Sequence, residues 1–140
     1  MPDYTEKFEK MRVAGKLAAE TLDMLTDNIK PGVTTEFIDK LGYEFIRDNG
    51  AYSAPLFYRG FKKSLCTSLN HVVCHGIPSD RVLNEGDALN VDVTAIIDEH
   101  YGDTSRMFCI GKTPVKVNNL IDTTYESMMR AIRLLKPGLR

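Results

Sequence analysis

Asp92 and Asp103 are the residues of this 140-residue chain whose type and spacing best suit chemistry. Asp92 interrupts an apolar run, Asn90-Val91-Asp92-Val93-Thr94, and Asp103 follows a glycine in Tyr101-Gly102-Asp103-Thr104-Ser105. If the two runs are arms of a β-hairpin turning at Asp98-Glu99-His100, the carboxylates share one face, directly opposite or one diagonal step apart. Two carboxylates that close repel unless a proton or a divalent cation shares the charge. Paired aspartate oxygens suit Mn²⁺, Co²⁺, Zn²⁺ or Fe²⁺. Taken alone, the two also read as an exposed strand residue and a turn former. The interruption of an apolar strand argues for the site, as does Gly102, which permits close approach of a ligand.

His75 stands in Asn70-His71-Val72-Val73-Cys74-His75-Gly76-Ile77-Pro78. Such a position is expected at a strand end, where the ring either faces a cleft and serves a substrate or is a hydrogen-bonded structural histidine. His71 has a weaker case, and His100 falls in the hairpin turn, facing solvent. Cys66, Cys74 and Cys109 match no zinc-knuckle or CxxC spacing and read as reduced, partly buried thiols.

The elements that must position these groups follow from periodicity. Phe8, Met11, Ala14, Leu17, Ala18, Leu22, Leu25 and Ile29 recur at helical spacing, predicting one amphipathic helix between Thr5 and Ile29. Asp3 and Glu6 form an expected capping box, and Lys30-Pro31-Gly32 ends the helix. Thr34 or Thr35 caps a second helix with Phe37, Ile38, Leu41, Phe45 and Ile46 inward, stopped at Asn49-Gly50. From Ala51 to Gly111 short apolar stretches alternate with turn residues. The clearest strand is Ala88 to Ile97, with Leu89, Val91, Val93, Ala95 and Ile97 on one face; Tyr101 to Ile110 returns beside it. The class is α+β, two N-terminal helices packed on an antiparallel sheet. Lys136-Pro137-Gly138 echoes Lys30-Pro31-Gly32 at an offset of 106 residues, each ten residues after a Glu-Ser or Glu-Thr pair. The echo suggests one αβ repeat, residues 1–111, and the opening helix of another, residues 112–140.

A hydrophobic content of 43% with 26% charged residues indicates a globular chain, and the net charge of −1 argues against a nucleic-acid partner. No apolar run reaches membrane-spanning length, and the N-terminus lacks a signal peptide's apolar core, so the expected compartment is the cytoplasm with no membrane partner.

Together, Asn70 to Pro78, Asn90 to Thr94 and Tyr101 to Phe108 resemble, in order and spacing, the first-half signatures of type I methionine aminopeptidases. The Pro-Leu-Phe-Tyr-Arg-Gly-Phe and Lys-Pro-Gly-Val-Thr-Thr stretches also fit, so the resemblance covers practically the whole chain. It implies the first αβ half of a pita-bread fold, in which two such halves enclose a dinuclear metal centre. It further implies removal of N-terminal methionine from nascent proteins, by attack of metal-activated water on the first peptide bond. The implied substrates are N-terminal methionyl peptides, and the implied cofactors are two divalent ions among Mn, Co, Fe and Zn. Asp92 and Asp103 match the family's two metal-ligating aspartates, chelating and bridging respectively, with Thr94 beside the first. His75 matches its substrate-contacting, catalytic histidine. Tyr58, Phe61 and Cys66 match positions lining the methionine pocket. Asn70 and Val72 match positions whose backbone oxygens hold a monovalent cation. Two positions depart: Phe61 stands where many members have tyrosine, and Pro55 where many have cysteine.

The remaining ligands of the family, a histidine and two glutamates, have no match up to Arg140; Glu85 and Glu99 read as turn residues. The chain is therefore expected to supply only part of the site, to bind Mn²⁺ or Co²⁺ weakly or not at all, and to be inactive alone. Two other readings stand beside a fragment of the enzyme. One is a truncated, non-catalytic relative acting as a binding or regulatory module. The other is self-association through the uncovered half-interface, rebuilding a two-fold site.

Overall fold

A computed structural model describes residues 4–139. In chain order the elements are α1 (Thr5–Thr26), α2 (Thr35–Asp48), β1 (Tyr52–Ser53), a short 3-10 turn (Tyr58–Gly60), β2 (Cys66–Leu69), β3 (Ala88–Ile97), β4 (His100–Cys109) and α3 (Val115–Leu134). The sheet is antiparallel: β4 runs along one edge of β3, while β1 and β2 share the other edge, pairing with residues 95–96 and 89–92.

One face of β3 makes the core. Leu89, Val91, Val93 and Ala95 are fully buried against Leu17, Ala18, Leu22 and Leu25 of α1 and Ile38 and Ile46 of α2. Each such Leu, Ile or Val side chain contributes about 1.5–3 kcal/mol by leaving water. Strand alternation then turns Asn90, Asp92 and Thr94, all half-buried, to the opposite face.

α1 crosses β4 in contact with its backbone. A Cβ on Gly102 would lie 2.1 Å from the Ala14 carbonyl carbon and oxygen, so only glycine admits the helix here. The close approach that Gly102 permits is thus to α1, not to a ligand. Because Ala14 already sits near the hairpin end, the first turns of α1 run past the sheet. Phe8 and Met11, expected on the inward stripe, are consequently exposed. Tyr4 is the N-cap residue and carries no side-chain cap; Asp3 of the expected capping box lies outside the described residues.

α2 begins as expected, with the Thr34 hydroxyl accepting the Phe37 amide at 3.2 Å. Its buried stripe, however, is Thr35, Ile38, Asp39, Gly42 and Ile46; Leu41 and Phe45 are half-buried and Phe37 is exposed. The carboxylate on that stripe is satisfied by backbone amides, described below.

The β3–β4 turn has two residues, Asp98 and Glu99, both with positive φ (48° and 63°), the geometry whose twist matches a hairpin. His100, expected in the turn, opens β4 opposite Ile97, half-buried, with its Nδ1 2.6 Å from the Asp98 carbonyl oxygen.

The link from β4 to α3 is pinned. Glu85 accepts the Lys112 amide at 2.6 Å, and the Gly86 amide donates to the Ile110 carbonyl at 2.7 Å. α3 itself buries no residue, and Leu120, Tyr125, Met128, Ile132 and Leu134 are exposed along it. Gly138 repeats the positive φ of Gly32 (84° and 90°), although α1 stops farther ahead of its Lys-Pro-Gly than α3 does. Among the described residues no helix is long and apolar enough to cross a membrane.

Candidate functional site

The two-residue turn fixes the register on which the candidate site depends. Asp92 pairs with Ser105 and Asp103 with Thr94, so the aspartates are diagonal neighbours rather than directly opposite. Both belong to the open face, which the core residues Val91, Val93 and Gly102 leave free by alternation. On the other side of Asp92 the partner is Cys66 of β2, giving a row Cys66–Asp92–Ser105 across three strands. The next row is Ser68–Asn90–Met107, where the Asn90 amide lies 3.4 Å from both the Ser105 hydroxyl and the Met107 sulfur.

The electrostatics of the row follow from partial burial. Burial pushes the Asp92 carboxyl above its usual range, Asp103's charge adds to the push, and His75 and the Val93 amide oppose it. Burial, then the Asp92 charge, pushes the Cys66 thiol up to about 11. Cys66 is therefore a neutral thiol at neutral pH, and it is the buried one of the three; Cys74 and Cys109 are free and exposed, against the expectation of partly buried thiols.

His75 is not at a strand end. β2 stops at Leu69, and His75 stands in the following loop with φ 54°, exposed, yet near enough to Asp92 for their charges to interact. Gly76 explains the loop's path: the Gly76 carbonyl accepts the Thr67 amide at 2.8 Å, and a Cβ there would meet the Thr67 carbonyl oxygen at 2.2 Å.

Tyr58 and Phe61 lie on the loop that leaves β1. The Ala54 amide donates to the Thr94 carbonyl at 2.9 Å, so this loop springs from β3 beside the aspartates. Its path needs left-handed backbone at Phe57, Arg59 and Gly60. Tyr58 is 64% exposed and the Arg59 guanidinium lies 5.4 Å from its ring centre, whereas Phe61 is half-buried.

Asn70 and Val72 sit elsewhere. Asn70 is locked in place, its side chain donating to Asp87 at 2.8 Å and accepting the Ala88 amide at 3.0 Å. Both residues line a depression of about 270 Å³ with Thr35, His71 and Arg81, to which neither aspartate contributes.

The donor chemistry fits a divalent ion as far as it goes: two hard oxygen donors share a face, and the half-buried one is destabilised as an anion without a counter-charge. Among the described residues no group of three or more His, Cys, Asp and Glu side chains converges to hold one. Sequence reasoning missed Asp39, whose carboxylate anchors the start of β2; a charged residue inside the inward stripe of α2 was the available signal.

With two helices laid on one face of an antiparallel sheet and an aspartate pair on the other, the chain belongs to metallopeptidase family M24, whose sequence model matches residues 9–140. It is 55% identical over 138 residues to the methionine aminopeptidase of Rickettsia prowazekii, covering 98% of this chain and 53% of that one. With the Escherichia coli K12 methionine aminopeptidase it shares 48% identity over 136 residues, covering 96% and 52%. The crystal structure of the Rickettsia enzyme superposes with a TM-score of 0.94 over 99% of this chain and 56% of that one. A prolidase from Pyrococcus furiosus, 20% identical with a TM-score of 0.82 and coverages of 96% and 39%, shares the fold alone. The resemblance to methionine aminopeptidases is thus established, and the architecture is the first αβ half of the pita-bread fold. The chain spans about half the length of the relatives it matches.

Proposed function

We propose that this chain supplies the first half of the active site of an aminopeptidase that removes N-terminal methionine from nascent proteins in the cytoplasm. The observation that carries the reading is the hairpin register, which sets Asp92 and Asp103 on one open face beside Cys66. In this reading Asp92 and Asp103 are ligands to divalent ions (Mn, Co, Fe or Zn), and residues 112–140 open a second half that supplies the remaining ligands. Bound there, such ions supply Lewis-acid chemistry, polarising a peptide carbonyl and acidifying water. His75 hydrogen-bonds the substrate from its loop next to Asp92. Tyr58, Phe61 and the neutral Cys66 thiol wall an apolar pocket for the methionine side chain. Asn70 and Val72 offer backbone oxygens to a monovalent cation. By itself the chain binds metal weakly and hydrolyses nothing, and the apolar side of α3 favours self-association.

A chimera tests the proposal: residues 1–140 replace the matching segment of the Rickettsia prowazekii enzyme. Methionine release from a Met-Ala-Ser peptide is measured with Mn²⁺ or Co²⁺. The chimera is expected to be active, and its Asp92→Asn and Asp103→Asn forms to lose about 100-fold or more. A folded chimera without activity, or one indifferent to both substitutions, contradicts it.

A further inference from the structure

Asp39 is a carboxylate on the buried stripe of α2, only 7% exposed. Its Oδ1 accepts two consecutive backbone amides, from Ser64 at 2.7 Å and Leu65 at 2.8 Å. Buried amides left without an acceptor are costly, and Ser64 and Leu65 are themselves buried. One turn along α2, Gly42 leaves the space that Leu65 fills: a Cβ there would lie 2.5 Å from Leu65 Cδ1. Helix α2 thus grips this segment twice, by backbone through Asp39 and by side chain through Gly42.

The grip falls immediately before β2. In extended chain successive side chains alternate in direction, so the residue after Leu65 turns the other way. With Leu65 held against α2, Cys66 turns to the other face, where it is only 7% exposed in the row it shares with Asp92. β2 pairs with β3 through four residues, Cys66 to Leu69, and Asn70 holds its far end, donating its amide to the Ala88 carbonyl at 2.8 Å and accepting the Ala88 amide at 3.0 Å; the Asp39 grip holds the near end. We propose that Asp39 is a positioning residue: its carboxylate pins the entry to β2 against α2 and so holds the buried Cys66 side chain in its row beside Asp92. This rests on reading Cys66 as a wall of the substrate pocket and names what holds that wall in place.

Alkylation of the intact chain by iodoacetamide tests it, followed on the Cys66 peptide by mass spectrometry below the unfolding transition. Cys74 and Cys109 are exposed and react first. Asp39→Ala is expected to speed Cys66 modification by about tenfold or more, and Asp39→Asn, which keeps an acceptor oxygen, by less than about threefold. Both variants remove the same charge, so their difference reports the acceptor oxygen and the side chain that carries it, not the charge. Ile46→Ala, on the same helix, controls for general loss of stability and is expected to leave Cys66 protected. Equal acceleration in Asp39→Ala and Asp39→Asn, or acceleration by Ile46→Ala matching that of Asp39→Ala, overturns the proposal. Should Asp39→Ala not fold, amide exchange decides. Ser64 and Leu65 in the unsubstituted chain are expected to be protected by roughly 100-fold or more, and free-chain rates overturn the proposal. Alkylation needs neither metal nor peptide hydrolysis, so an inactive chimera would refute the proposed function and leave this result standing.

Discussion

Replacing Gly102 by alanine puts the packing behind Asp103 to a quantitative test. The added methyl would meet the Ala14 carbonyl carbon and oxygen at 2.1 Å and the Gly15 nitrogen at 2.4 Å, where an ordinary contact is 3.4–4 Å. All three atoms are backbone, so no side chain can rotate away. α1 and β4 must separate by roughly 1 Å in a close-packed interior. Overpacking of this kind costs about 1–3 kcal/mol, and a clash between two backbones belongs at the upper end. At about 3–4 °C per kcal/mol for a domain of this size, the Tm should fall by about 10 °C. Gly15 supplies the internal control. A Cβ there meets nothing within 4 Å, and α1 continues on both sides. Gly15→Ala should therefore gain about 0.5–1 kcal/mol from helix propensity. Thermal unfolding followed by circular dichroism reads both. A Gly102→Ala protein melting with the unsubstituted chain would refute the backbone contact between α1 and β4, and with it the account of how Asp103 is backed.

Three further outcomes are expected. Asp103→Asn removes a charge that disfavours the Asp92 carboxylate, so in EDTA at neutral pH its Tm should rise, by up to about 2 °C; a fall would contradict the assigned repulsion. Burial raises the Asp39 carboxyl from its ordinary value of 3.8 against the pull of the Leu65 and Ser64 amides and Lys63. Its stabilising contribution is therefore fully present below that value and lost as pH rises through the raised folded value, so the Asp39→Asn protein should lose less stability between pH ~4 and ~7. Parallel Tm–pH curves would contradict this. Glu85→Ala frees the Lys112 amide, and should speed amide exchange at Lys112 and in the first turn of α3 while changing the Tm by less than about 3 °C; unchanged exchange would show the link is held otherwise.

The sequence made the helices and the hairpin legible because their periodicities are strong. Leu89 to Ala95 alternate cleanly, and β3 and β4 end within a residue of expectation. The register was open by one step, because whether His100 belongs to the turn or to β4 depends on left-handed backbone at Asp98 and Glu99, which neither residue type demands. Phe8 and Met11 misled because apolar spacing says which side of a helix is inward, not where the sheet beneath it ends. Phe37 misled for a related reason: the buried stripe of α2 runs through Gly42 and Asp39, residues chosen for a close contact with Leu65 and for two backbone amides. The path of His75 depends on Gly76 lying against Thr67, a contact between segments that no local pattern encodes.

The central claim is that Asp92 and Asp103 act as a metal-binding pair. Mn²⁺ titrated into the isotopically labelled chain, with paramagnetic broadening read residue by residue, tests that claim without requiring catalysis. Broadening centred on Asp92, Asp103, Ser105 and His75 at roughly millimolar Mn²⁺, and abolished by Asp92→Asn, is the predicted result. Broadening centred elsewhere, or unchanged by that substitution, would contradict it.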